Sequence, residues 1–131
     1  MIHSIEAHIG RDQYRTQIRT ADHAIIADEP VGLGGQNLGF SPHQLLAAAL
    51  GGCTNATLRM YADRKSWPLE AVDTRVEIEH GDTYDTTYIR RTIHLTGALS
   101  EEQRTRLLEI AERCPIHRTL SGQVGITSQL A

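Results

Sequence analysis

The sequence has 131 residues, a length that suits one domain. Hydrophobic residues make up 40% and charged residues 22%, a composition that is globular rather than disordered. The net charge is −3 and no basic stripe with interleaved aromatics appears, so a nucleic-acid partner is not expected.

The opening stretch, MIHSIEAHIGRDQYR, has no apolar signal-peptide core. The apolar run near Ala47 is too short and too rich in small residues to span a bilayer. The expectation is a cytoplasmic chain without a membrane partner, in which two cysteines stay reduced or cycle rather than form a permanent bridge. YRTQIRT and HAIIAD read as a hairpin with its turn at Ala21–Asp22. EPVGLGGQNLGFSP, residues 29–42, has four glycines and two prolines and is expected to avoid regular structure. It lacks the GK[ST] ending of a phosphate loop and suits a rim, a lid or a plain connection.

A helix is expected from Ser41 to about Arg64. Pro42 suits the first helical position, and Gln44 completes a capping box with Ser41. Trp67-Pro68 should end it, with Trp67 packing into the core. This helix is apolar nearly all round, which predicts a buried central helix. Gly51 and Gly52 each cost roughly 1 kcal/mol against alanine, so a close neighbouring backbone or a bend is expected beside Cys53. A long internal helix is hard to cover in so small a domain, and homodimerisation across it would resolve the difficulty.

VDTRVEIEH alternates as a half-buried strand, and GDTY supplies a turn. In YIRRTIHLTG, Ile89, Ile93 and Leu95 share a face that Arg91 interrupts. A second helix should run from Ser100, capped with Gln103, to about Cys114, with Pro115 stopping it. GQVGIT is expected as a last strand. The whole is α+β, residues 1–131 as a single domain, with helices packed on a mainly antiparallel sheet.

The two cysteines leave four readings open. Cys53 and Cys114 could be core thiols or a structural disulfide. They could join His43 and His117 in a zinc site, since CPIH has ligand-like spacing. They could also be a redox pair, in which one thiolate attacks an electrophile and the second thiol resolves the product. That reading needs a cation near one thiol, and Arg11, Arg15, Arg19, Arg91 and Arg118 are available.

SPHQLLAAALGGCTNATLRMYADRKSWPLE and LSEEQRTRLLEIAERCPIHRTL resemble the OsmC/Ohr family of thiol-dependent hydroperoxide reductases, closest to its short OsmC-like branch. The match extends to ADEPVGLGGQNLGFSP and covers nearly the whole chain. The resemblance implies an OsmC-like fold in an intertwined homodimer, with long central helices and two sites at the subunit interface. It implies a peroxidatic Cys53, a resolving Cys114, and an organic hydroperoxide reduced through a Cys53 sulfenic acid and a Cys53–Cys114 disulfide. An external dithiol would close the cycle, with no cofactor. An arginine of the N-terminal strands would face the thiolate, Arg11 by position after the glycine, or else Arg15 or Arg19. The glutamate that normally holds that arginine is replaced by His43, which supplies no fixed negative charge. Apart from the resemblance, His117 could orient the second cysteine's loop or be a simple surface histidine. The alternative is a non-enzymatic or metal-binding Cys/His module of the same family.

Overall fold

The hairpin read from YRTQIRT and HAIIAD is present, and a third strand joins it. The computed structural model describes residues 1–131. The chain divides into two compact units, Met1–Leu46 and Ala47–Ala131. In the first, β1 (Glu6–Ile9), β2 (Thr16–Arg19) and β3 (Ala24–Ala27) form an antiparallel sheet in the order β1-β2-β3, with Ile18 opposite Ile25. Thr20 closes the β2–β3 turn. Its hydroxyl accepts the N–H groups of Asp22 and His23, and its own N–H donates to the His23 carbonyl.

The glycine-rich stretch holds one short 3-10 turn, Val31–Leu33, where no regular structure was expected. Asp28 explains how it is held. Its buried carboxylate accepts N–H groups from Tyr14 (3.1 Å), Glu29 (2.7 Å), Gln36 (3.2 Å) and Leu38 (3.1 Å). One anion thereby satisfies four backbone donors that a loop would otherwise leave to water. Gly39 is required here, because a Cβ would collide with the Ile26 carbonyl. Burial alone would push the Asp28 carboxyl up; the four donors, Leu38 foremost, outweigh it and hold the carboxyl below its ordinary value. A carboxyl depressed in the folded state stabilises the fold above its unfolded value and loses that contribution as pH falls through the folded one. Asp28→Asn is therefore expected to flatten the acid limb of stability below about pH 4. It should also speed amide exchange at Gln36 and Leu38. Unchanged exchange at those two amides would show that the carboxylate does not hold the loop.

The first helix, α1 (Pro42–Lys65), starts as expected. Ser41 Oγ accepts from Gln44 N, and Gln44 Oε1 accepts from Ser41 N. Its end is made one residue before Trp67. Ser66 takes the left-handed conformation (φ 56°), Trp67 N–H donates to the Ala62 carbonyl, and Ser66 N–H to that of Asp63. These two bonds form a Schellman motif with serine where glycine is usual. Leu50, Thr54, Leu58 and Ala62, every fourth residue, form the buried stripe. Ala49, Gly52, Ala56 and Met60 are exposed, so within one chain the helix is covered on one side only.

Two long strands, β4 (Leu69–His80) and β5 (Thr87–Gly97), pair antiparallel with a bulge at Leu69/Ala71. Val72, Thr74, Val76 and Ile78 face inward, and Asp73, Arg75, Glu77 and Glu79 face water. Gly97, at φ 145°, lets the chain pass the Pro68 carbonyl, where a Cβ would not fit. The second helix, α2 (Glu101–Ala111), has the full Ser100/Gln103 capping box. The Arg104 guanidinium donates to the carbonyls of Leu95 (3.0 Å) and Gly97 (3.1 Å), tying α2 to the end of β5. Leu58, Leu107, Ile110 and Ala111 form the core, with Trp67, Val72, Ile93 and Leu95 packed on it. Trp67 meets Tyr61 edge-on at 5.5 Å.

Two expectations about the C-terminal third are corrected. The second helix ends at Ala111 rather than Cys114. Pro115 does not merely stop it but opens a third helix, α3 (Pro115–Ser121), at the first helical position, where a missing N–H costs nothing. The expected strand GQVGIT is absent. Val124 and Ile126 are 62% and 85% exposed, and no strand offers them a ladder. The α+β class with antiparallel sheets is as expected. No helix is long and apolar enough to cross a membrane.

Candidate active site

Cys53 lies on α1, one position before the buried Thr54, and is itself half-buried. Cys114 is fully buried and caps α3, its Sγ accepting the His117 N–H at 3.3 Å. Though distant in sequence, the two thiols lie near each other, close enough for each to shift the other's pKa. Thr57, one helical turn past Cys53, puts its hydroxyl 4.0 Å from the Cys53 Sγ.

Their surroundings push the two thiols in opposite directions. Burial alone would raise Cys53. The Ile116 N–H, the Cys114 thiol, the Thr57 hydroxyl and the charge of Arg91 outweigh it and hold Cys53 below the ordinary thiol value. Cys114 is raised, first by burial and then by the neighbouring Cys53, and the N–H groups of His117 and Ile116 only partly oppose this. Of the two thiols, Cys53 is therefore the one that gives up its proton more readily and Cys114 the one that keeps it.

Arg91 accounts for the interruption in the apolar face of β5. It points inward between Ile89 and Ile93. Its Nη1 donates to Thr54 Oγ1 (3.0 Å) and its Nη2 to His117 Nδ1 (3.0 Å). The imidazole nitrogen facing Arg91 is thus the unprotonated one. Thr54 in turn donates to the Leu50 carbonyl at 2.7 Å. Next to this group opens a cleft of about 260 Å³. Leu50, Ile89 and Leu120 form its apolar wall, and Thr87, Arg91 and His117 its polar one; the two thiols lie outside its walls.

The other sequence candidates sit elsewhere in the chain. Arg11 lines a groove of about 220 Å³ with His8, Asp12, Arg15 and Gln17. Arg19 pairs with Glu6 at 3.4 Å on the exposed face of the first sheet. His43 is the second residue of α1 and is exposed. All three belong to the Met1–Leu46 unit, whereas Cys53, Cys114, Arg91 and His117 belong to Ala47–Ala131. No group of three or more His, Cys, Asp or Glu side chains is arranged to hold a metal ion, and His117 Nδ1 is engaged by Arg91. Sequence reasoning named Arg91 only as one arginine of five. The usable signal was its parity, a cation on the inward face of a strand that is otherwise apolar there.

A family model described as OsmC-like protein matches residues 34–129. No curated protein matches the chain by sequence. Among solved structures, an organic hydroperoxide resistance protein OsmC of Legionella pneumophila is 26% identical with a TM-score of 0.70, over 93% of this chain and 92% of that one. An OsmC-like protein of Mycoplasma pneumoniae is 22% identical with a TM-score of 0.79, over 93% and 89%. An organic hydroperoxide resistance protein of Elizabethkingia anophelis is 21% identical with a TM-score of 0.68, over 93% and 91%. The last two likenesses speak to the fold alone.

Proposed function

The chain belongs to the OsmC-like family, and from that premise we propose that it is a two-cysteine thiol peroxidase reducing organic hydroperoxides to alcohols. The observation that carries the reading is the Cys53–Cys114 contact, with one thiol lowered and the other raised. The Cys53 thiolate attacks the distal oxygen of the peroxide, and the O–O bond breaks. The alkoxide leaves, takes a proton and becomes the alcohol. Cys53 is oxidised to a sulfenic acid. The Cys114 sulfur then attacks the Cys53 sulfur. A disulfide forms, and the departing hydroxide takes the Cys114 proton to become water. An external dithiol reduces the disulfide by exchange and is itself oxidised.

Positive charge near the thiolate stabilises it and the charge that develops on the peroxide. Within the Ala47–Ala131 unit Arg91 supplies such charge. Arg11 and Arg19 are the candidates for a second cation, and Arg11→Ala and Arg19→Ala, each assayed for turnover, decide between them. The proposed compartment is the cytoplasm, where free thiols persist.

The cleft supports the substrate class proposed. An apolar wall of Leu50, Ile89 and Leu120 gains from burying an alkyl group, which hydrogen peroxide lacks. Consumption of cumene hydroperoxide in the presence of a dithiol is expected to exceed that of hydrogen peroxide by about tenfold or more. Equal rates for the two would sink the substrate assignment, and no consumption of either would sink the peroxidase.

The assembly we propose is a homodimer built on α1. Ala49, Gly52, Ala56 and Met60 are exposed on it, and a Cβ at Gly52 would meet open space. Gly51 sees Val76 only at an ordinary contact distance, so close packing inside one chain does not offset the two glycines. Light scattering on an eluting peak should give twice the chain mass of 14.5 kDa. A monomer at micromolar concentration would contradict it.

A further inference from the structure

Arg91 touches neither thiol, yet its two arms end beside both. Nη1 bonds Thr54, the residue after Cys53 on α1. Nη2 bonds the ring of His117, whose backbone N–H caps the Cys114 sulfur. Both acceptors are neutral, and Arg91 takes part in none of the ion pairs with Asp or Glu. A partly buried guanidinium is costly to desolvate, and only a planar fork with fixed spacing reaches two acceptors on different elements at once. Thr54 is fully buried and anchored to the Leu50 carbonyl, so the α1 end of this bridge has little freedom.

We propose that Arg91 is a positioning residue that staples the Cys114 turn to the Cys53 helix through His117 and Thr54, and so sets how readily the two sulfurs close on each other. The proposal rests on the two-thiol cycle above. The chain it describes runs from β5 through both cysteine-bearing segments. A single ammonium cannot reproduce it: lysine in this position keeps a positive charge but reaches one acceptor. Removing the His117 ring cuts the same bridge at its other end and leaves Arg91 with its charge and its Thr54 bond. The two changes should therefore produce one phenotype from two directions. A purely electrostatic role for Arg91 would separate them from wild type not at all.

The experiment follows disulfide exchange rather than peroxide turnover, so a protein with no peroxidase activity still answers it. Reduced wild type, Arg91→Lys, Arg91→Met and His117→Ala are mixed with oxidised glutathione. The glutathione adduct on Cys53 and the closed Cys53–Cys114 disulfide are then quantified by mass spectrometry over time. In parallel, the pH midpoint of Cys53 alkylation by iodoacetamide is measured for each variant in a Cys114→Ser background. The expected result is that closure slows about tenfold or more in all three variants, with the adduct accumulating. The alkylation midpoint should rise by about one pH unit in Arg91→Met and stay near wild type in Arg91→Lys and His117→Ala. A retained midpoint in the last two shows that the site is folded and its charge intact. Closure at the wild-type rate in Arg91→Lys or in His117→Ala would overturn the staple.

Discussion

Cys53→Ser is expected to abolish turnover with an organic hydroperoxide and a dithiol, by more than about 10³-fold. The physical reason lies in the thiol's surroundings. The Ile116 N–H, the Cys114 thiol, the Thr57 hydroxyl and Arg91 all favour a negative charge at this one atom. A serine hydroxyl ionises far above any working pH, so the same donors would solvate a neutral group and no nucleophile would form. In wild type, the rate should fall as pH drops through the lowered Cys53 value, because the reactive form is lost on protonation. The shape of that profile should be missing in the serine variant along with the rate. Residual turnover within tenfold of wild type would remove Cys53 from the chemistry.

Cys114→Ser is expected to separate the first oxidation from the rest of the cycle. The variant should consume about one equivalent of peroxide per chain and then stop, leaving a sulfenic acid on Cys53 that dimedone traps. The initial step should also weaken somewhat, since the Cys114 thiol is one of the groups that lower Cys53. A serine hydroxyl can replace that donor in part, so Cys114→Ala should show the larger loss. Sustained turnover in either variant, at the wild-type rate with the same dithiol, would mean that Cys114 does not resolve the intermediate.

Much of this was legible because local rules agreed with one another. Ser41 with Gln44 and Ser100 with Gln103 announced both long helices, and both capping boxes are formed. The parity of Val72 through Ile78 gave β4 its inward face. The misreadings fall where local rules were ambiguous. Proline after a helix and proline opening the next have the same local appearance, and Pro115 does the second. Val124 and Ile126 have strand-like side chains, but a strand needs a partner, and partners are not written locally. Asp28 carried no signal at all, because its role depends on four amides brought to it from three separate stretches. At the site, the family resemblance drew attention to N-terminal arginines. Arg91 is instead found by asking why a charge stands on a greasy face. Its partners Thr54 and His117, 37 and 26 positions away, could not be read from spacing.

The approach of two sulfurs far apart in the second unit's sequence has a thermodynamic consequence for the proposed cycle. A Cys53–Cys114 bond closes a loop of about 60 residues, which in the chain-entropy account disfavours the unfolded state by about 4 kcal/mol. Each turn of the cycle would then switch the fold between a more and a less stable form, and the reductant would work against folding free energy as well as against the S–S bond. The linkage runs both ways. A change at the Leu58–Leu107 core that destabilised the reduced form more than the oxidised one would make the disulfide harder to reduce, so packing far from the sulfurs would bear on the redox poise of the proposed cycle.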